Sequence, residues 1–327
     1  MSNGDLLKPQ RPDLGGNVRA LAEGAMLTAL TLILAIISLY VPVLNIIAQF
    51  LFPAPLALLV LRHGFKFGLL SSICIFLLSA ILLGLPHAVY LFILYGFLGL
   101  FFGWCFRSGK KAVFALLGGV LISCASIILL LLFPKYVLGL SADSMQETLT
   151  TMFRSFALMA EQQGSSTMLG GMTVDEYVEY AFKFLPSVLL LVAMLLSFAC
   201  YTLMGRLLRR LGHDIPKLPP FREWRIDWRL LWLLIAALML TSLGQRLQYD
   251  LLEQIASNLL SALSIIFLVY GLSILIWVFW CFKAAIYIRV VVILFALLIF
   301  SGIIVIIVGV LDPLFDFRRR LEKYVKK

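Results

Sequence analysis

The stretch AVFALLGGVLISCASIILLLLF, residues 112–133, contains no charged residue and directly follows Lys110 and Lys111. A helix rises about 1.5 Å per residue, so a run of roughly 20 apolar residues crosses the hydrocarbon core of a bilayer. Residues 112–133 therefore predict a transmembrane helix. The basic pair before them is typical of the cytoplasmic end of such a helix.

Apolar runs of the same kind recur on both sides and predict an all-α, polytopic integral membrane protein. We expect eight transmembrane helices, with nine as the alternative, because the run at 230–244 is short and is interpreted as not crossing fully. The eight predicted spans are 19–40, 44–61, 65–84, 87–106, 112–133, 186–206, 256–282 and 286–311.

Whole-chain composition agrees with this class. Apolar residues make up 62% of the 327 residues and charged residues only 13%, about half the share that is usual in soluble domains. The mean hydropathy is +1.02. So few charges cannot cover the surface of a soluble protein of this size.

The net charge of +10 is distributed in short clusters between the apolar runs. The positive-inside rule places such clusters in the cytoplasm, together with both chain termini and with residues 134–185 outside. An even number of spans follows from that placement. Nucleic-acid binding would need a continuous basic surface, so no nucleic-acid partner is expected, and the lipid bilayer is the expected surrounding.

Three regions follow from these patterns. Residues 1–210 form a six-span membrane domain that includes an external helical hairpin at 134–185, where a Gly/Ser-rich break separates two amphipathic segments. Residues 211–229 are a cytoplasmic connector rich in Pro, Arg and Trp. Residues 230–327 form a C-terminal membrane region with two or three helices and a basic cytoplasmic tail.

Polar side chains at the outer ends of the second and fourth spans are candidates for a pocket that opens outward. Asn45 and Gln49 are one turn apart, and His87 and Tyr90 begin the fourth span at the same level. Prolines at 53 and 55 free backbone carbonyls, which need water, a polar side chain or a ligand. The alternative is ordinary polarity at headgroup depth.

Small residues form a ridge on the first helix, at Ala22, Ala25 and Ala29. Spacing of this kind lets two helices approach closely. Most such ridges pack within one bundle, as we expect for Gly99 and Gly103. The first-helix ridge is our candidate docking face for a membrane partner protein.

The connector contains KLPPFREWRIDWR, residues 217–229. Trp224 and Trp228 suit the cytoplasmic interface, and Arg222 and Arg225 can reach phosphates there. These four residues are candidates for contact with lipid, or alternatively with a cytosolic partner.

Motifs for chemistry are absent from the sequence. The three histidines are isolated, no HExxH or phosphate-binding loop occurs, and no pair of acids on a span face suits magnesium. The five cysteines lie in or beside apolar runs with no CxxC pair. We therefore expect no enzyme activity, no cofactor and no metal site.

Two stretches carry a family resemblance: PPFREW, residues 219–224, and GVLDPLFDFRRR, residues 309–320. Through them the chain resembles the YybS family of uncharacterised bacterial membrane proteins. That resemblance covers nearly the whole chain and implies a multi-pass protein of the bacterial cell (inner) membrane.

The first six spans also resemble the substrate-binding S component of energy-coupling factor (ECF) transporters. The features that carry this resemblance are the alanine ridge, the proline-containing second span and the GxxxG entry to the third. It implies a non-catalytic, transport-related subunit that binds an unidentified small molecule and docks a membrane partner through Ala25 and Ala29. The alternative is a scaffold or regulatory protein that binds protein partners only.

Overall fold

The computed structural model describes residues 14–137, 142–162, 173–282 and 302–316, with positions 287, 292 and 318. Among these residues no strand occurs, and eight helices are long and apolar enough to cross a membrane. These candidate spans are Val18–Tyr40, Asn45–His63, Phe65–Leu83, Leu85–Arg107, Ala112–Phe133, Val174–Arg210, Arg229–Leu247 and Asp250–Cys281. The all-α polytopic architecture is therefore confirmed.

The described helices are α1 to α12 in chain order, and the second and fourth spans each consist of two of them. The bounds are α1 Leu14–Tyr40, α2 Asn45–Leu51, α3 Pro53–His63, α4 Phe65–Leu83, α5 Leu85–Leu91, α6 Phe97–Arg107, α7 Ala112–Val137, α8 Ala142–Gln162, α9 Val174–Arg210, α10 Arg229–Leu247, α11 Asp250–Cys281 and α12 Ile303–Phe315. A π-helical turn, Phe92–Gly96, joins α5 to α6, and a 3-10 turn, Phe221–Glu223, lies in the connector.

The chain divides into two compact units. The first comprises Met1–Leu138 with Ala193–Lys217, and the second comprises Gly139–Val192 with Leu218–Lys327. The hairpin region, which the sequence analysis assigned to the six-span domain, thus groups with the C-terminal helices.

In the first unit, α3 and α6 pack closely because glycines line their contact. A Cβ atom added at Gly99 would lie 2.8 Å from Pro53 O, and one at Gly103 would lie 2.9 Å from Ala57 Cα. Real Cβ atoms do not approach so closely, so only glycine permits this packing. Gly99 and Gly103 therefore serve the bundle itself.

In the second unit, α8 packs on the first turns of α9. Ala157 is fully buried against Val174 and Tyr177, and the rings of Phe153 and Phe182 meet edge to face. The second arm of the predicted hairpin is continuous with the sixth span, because α9 is one helix of 37 residues. The Gly/Ser-rich break lies outside the described residues.

The run at 230–244 belongs to α10, whose 19 residues are enough to cross a membrane. The helix is longer than the apolar run, because flanking Arg229 and the segment Gln245–Leu247 continue it. That it does not cross the membrane fully stays a prediction. It packs along α11 through Leu231, Leu234 and Ala237.

Of the predicted span 286–311, the structure describes a continuous segment only from Gly302 onward. Gly302 has a left-handed backbone conformation and directly precedes α12. The rest of that span and the basic tail beyond Arg318 lie outside the described residues. The side of the membrane on which the tail lies, and the choice between eight and nine spans, remain predictions.

Candidate functional site

The four residues predicted to border a pocket lie in one hydrogen-bonded group in the first unit. Gln49 Nε2 donates to Asn45 Oδ1 at 2.7 Å, and Tyr90 OH donates to Gln49 Oε1 at 3.1 Å. His87 Nε2 lies 3.2 Å from the hydroxyl of Ser38, whose carbonyl accepts a hydrogen bond from Asn45 Nδ2. These side chains are half-buried.

Two further members of this group were missed by sequence reasoning. Ser38, near the end of α1, is buried, and Tyr95 is only 4% exposed. The Tyr95 hydroxyl donates to the same Gln49 Oε1 that accepts from Tyr90, also at 3.1 Å. We call Ser38, Asn45, Gln49, His87, Tyr90 and Tyr95 the amide–tyrosine cluster.

The π-helical turn explains how Tyr90 and Tyr95 meet at one atom. Five residues of regular α-helix place two side chains about 140° apart, at about 100° per residue. Here Phe97 N–H bonds to Phe92 O, five residues earlier, which widens the turn and brings positions five apart onto one face. Such turns occur often at functional sites.

Among the described residues, the hydrogen bonds of the cluster do not go to the backbone carbonyl that Pro53 frees, for which the sequence analysis expected water, a polar side chain or a ligand. Pro53 frees the carbonyl of Gln49, and that carbonyl accepts a hydrogen bond from Phe52 N–H at 3.3 Å. The Asn45 amide donates to α1 instead. The hydrogen bonds of the cluster thus join side chains of three spans.

A second polar group in the first unit surrounds Glu23. Arg19, one turn earlier on the same helix, lies 3.5 Å from this carboxylate, and His63 Nε2 lies 2.7 Å from it. Arg62 approaches that carboxylate to 3.5 Å and also donates to His213 at 3.2 Å. This group is exposed at its edges, and no sequence pattern indicated that His63 belongs to it.

The alanine ridge of the first helix is exposed in the described structure. The side chains of Ala22, Ala25 and Ala29 are all exposed, whereas Gly24 beside them is buried near Ser71 and Leu59. Whether a partner helix covers the ridge remains a prediction.

The connector residues divide into two groups. The guanidinium of Arg222 lies over the Trp280 ring at 4.3 Å, and Trp224 Nε1 donates to Pro219 O at 3.1 Å. Arg225 and Trp228 are exposed. Contact of these four with lipid or a partner remains a prediction.

Arg225 and Trp228 also line a cavity of about 540 Å³ in the second unit, which we call the charged cavity. Tyr270 OH donates to Asp312 Oδ2 at 2.5 Å on its wall. The charged cavity is lined by residues 225–229, Tyr270, Asp312, Pro313, Asp316 and Arg318.

Arg318 links the two stretches that carry the family resemblance. It is 3% exposed, NH1 donates to Trp224 O and NH2 donates to Ser273 Oγ, each at 2.8 Å. Ser273 in turn donates to Phe221 O at 2.6 Å. PPFREW and GVLDPLFDFRRR therefore meet beside the charged cavity.

Metal-binding chemistry was not expected. Among the described residues no group of three or more His, Cys, Asp or Glu side chains has the arrangement that a metal ion needs.

Helix content, span length and composition together define a polytopic α-helical membrane protein. The chain belongs to the family of predicted membrane proteins DUF2232, whose model matches residues 29–313. It is 28% identical over 313 residues to the uncharacterized protein YybS of Bacillus subtilis (strain 168). The aligned region covers 93% of this chain and 99% of that protein. No solved structure shows significant similarity. The predicted YybS-family resemblance is confirmed.

Proposed function

We propose that this chain is a non-catalytic, transport-related membrane subunit that binds a small polar substrate at the amide–tyrosine cluster. One observation supports this function: residues chosen for their depth in two spans converge with Ser38 and Tyr95 into one hydrogen-bonded group of three spans. An S component of an ECF transporter provides the analogy, which is one of fold and placement only.

The chemistry of the cluster suggests the substrate class. Asn45 and Gln49 supply amide donors and acceptors, and no member carries a fixed charge. The rings of Tyr90 and Tyr95 lie 6.2 Å apart, and those of His87 and Tyr90 6.1 Å apart. Neutral amides beside aromatic faces suit an uncharged, ring-containing polar molecule.

The test is purification of the full-length protein from its native membrane, followed by mass spectrometry of bound small molecules. Gln49→Leu keeps the approximate size but removes the acceptor shared by two tyrosines. We expect the wild type to retain a small polar molecule and the variant to lose most of it. Ser72→Ala is a matched control, because that hydroxyl donates to Leu69 O within its own helix.

Equal retention by Gln49→Leu would contradict binding at the cluster. The same preparation tests the scaffold alternative, which the exposed alanine ridge favours. A membrane protein that copurifies with the wild type and is lost from Ala25→Leu/Ala29→Leu, with no small molecule present, would support the scaffold instead. Branched side chains would hold the two backbones apart.

A further inference from the structure

We propose that the charged cavity binds a phosphoethanolamine group, with its ammonium at Asp312 and its phosphate at Arg225 and Arg229. The cavity lies in the second unit, and this site is independent of the proposed substrate site. Its volume of about 540 Å³ lies in the range of small-ligand pockets.

The ammonium end of the proposal rests on Asp312. This residue is 4% exposed, and its Oδ2 is already bonded to Tyr270. Its Oδ1 is buried and finds no donor among the described residues. A buried carboxylate oxygen without a donor is costly, and a primary ammonium supplies both the hydrogen bond and the compensating charge.

The phosphate end rests on the rim of the cavity. Arg225 and Arg229 are exposed there, and guanidinium groups bind phosphate oxygens with two parallel hydrogen bonds. Asp227 lies between them, and its Oδ1 accepts the backbone N–H of Arg229 at 3.0 Å. That carboxylate therefore caps the start of α10, while the two arginines present positive charge to a ligand.

Position in the chain favours a lipid as the source of this group. Arg229 is the first residue of a candidate span, so residues 225–229 lie at headgroup depth. Trp228, 59% exposed on the cavity wall, is of the residue type that anchors at this level. A headgroup can enter from the side while its acyl chains stay in the bilayer.

The experiment is a native mass-spectrometry titration of the full-length protein in detergent with dihexanoyl lipids. Phosphatidylethanolamine should bind at least about tenfold more tightly than phosphatidylcholine, which keeps the charge but has no N–H donor, and than phosphatidylglycerol, which has no ammonium. Equal binding of all three lipids would overturn the proposal.

Asp312→Asn keeps the shape and the acceptor for Tyr270 but removes the charge. It should lower phosphatidylethanolamine affinity about tenfold or more and abolish the preference over phosphatidylcholine. Glu223→Gln is the matched control, since that exposed carboxylate faces Arg222 and not the cavity. An unchanged preference in Asp312→Asn would also overturn the site.

Arg229→Gln provides a second test if Asp312→Asn does not fold, because Arg229 is exposed on the rim of the cavity. It should weaken phosphatidylethanolamine and phosphatidylcholine alike, because both carry the phosphate; no weakening of either would contradict the assignment. Free O-phosphoethanolamine is the last probe. Binding as tight as that of the lipid, with the same Asp312→Asn sensitivity, would support the chemistry and assign a soluble source.

Discussion

Side-chain amides lie beside two proline breaks, one within α9 and one between α2 and α3. The amides at the two breaks make different hydrogen bonds. In α9, Pro186 interrupts the helix, and Asn258 of α11 contacts the backbone next to it. Its Nδ2 donates to Lys183 O at 2.8 Å and its Oδ1 accepts from Ser187 N–H at 3.3 Å. In a regular helix Ser187 N–H and Lys183 O would bond to each other, in the first backbone hydrogen bond after the proline.

The break between α2 and α3 is different. There the Gln49 amide bonds to the side chains of Asn45, Tyr90 and Tyr95, although Asn45 itself also donates to the Ser38 carbonyl of α1. The carbonyl freed by Pro53 is met by Phe52 N–H. An amide bonded to the main chain completes the fold. Amides bonded to other side chains can exchange a partner for a ligand without breaking a helix.

The largest expected effect that tests this comparison is the loss of stability in Asn258→Leu. Both Lys183 O and Ser187 N–H lose this partner, and Ser187 Oγ loses its bond to Asn258 Oδ1 at 2.8 Å while keeping the one to Asn258 O at 3.0 Å. We expect the free energy of unfolding to fall by about 2–3 kcal/mol. Chemical unfolding of the purified full-length protein in detergent measures it.

Gln254→Leu, one turn earlier on α11, is the matched control for that variant, because it removes an exposed amide. It should change stability by less than about 0.5 kcal/mol. If Asn258→Leu is no less stable than Gln254→Leu, the amide does not support the interrupted helix.

A smaller effect is expected for the coupling between Asn258 and Pro186. Pro186→Ala restores a backbone N–H that can bond to the carbonyl four residues earlier, so the helix should depend less on the amide. A double-mutant cycle with Asn258→Leu should then give a coupling of about 1 kcal/mol. Additive effects within about 0.5 kcal/mol would mean that Asn258 acts independently of the proline.

Much of the fold was predictable because the length of a hydrophobic run follows directly from the thickness of the bilayer. The limit was reached at helix ends. Arg229 and the segment Gln245–Leu247 belong to α10 but lie on either side of its apolar run. Counting apolar residues therefore made this helix too short. Thr173 and Glu176, by contrast, stand three residues apart, the spacing of a capping box, and form its two bonds at 2.7 and 3.3 Å.

The candidate sites show the same limit. Depth alone was enough to group Asn45, Gln49, His87 and Tyr90, because equal distance from the membrane surface follows from position in a span. Tyr95 was missed because a π-helical turn has no sequence signature that we used, and an ordinary helix would place it on another face.

The charged cavity was missed for a different reason. Asp312 and Tyr270 are 42 positions apart in sequence, and they meet through the close packing of α12 on α11. A Cβ atom added at Gly309 would collide with the carbonyl of Phe267, so this packing needs glycine. Which glycine faces which helix is decided by tertiary structure.

The smallest expected effect compares two tyrosines of the first unit that lose only a hydroxyl. Tyr201 OH donates to Pro216 O at 2.7 Å, and Tyr95 OH donates to Gln49 Oε1; the two side chains are 2% and 4% exposed. Tyr201→Phe leaves a backbone carbonyl without this donor and should cost about 1–1.5 kcal/mol of unfolding free energy.

Tyr95→Phe should cost only about 0.5 kcal/mol, because Gln49 Oε1 still accepts from Tyr90. Burial and the chemical change are nearly the same in both variants, so the difference reports what each hydroxyl bonds to. Unfolding of the two purified variants under one set of conditions measures it. Equal losses would mean that the amide–tyrosine cluster supports the fold as the main-chain bonds do. A smaller loss in Tyr95→Phe, accompanied by loss of the copurified molecule, would instead support a cluster that exchanges its internal bonds for those of a substrate.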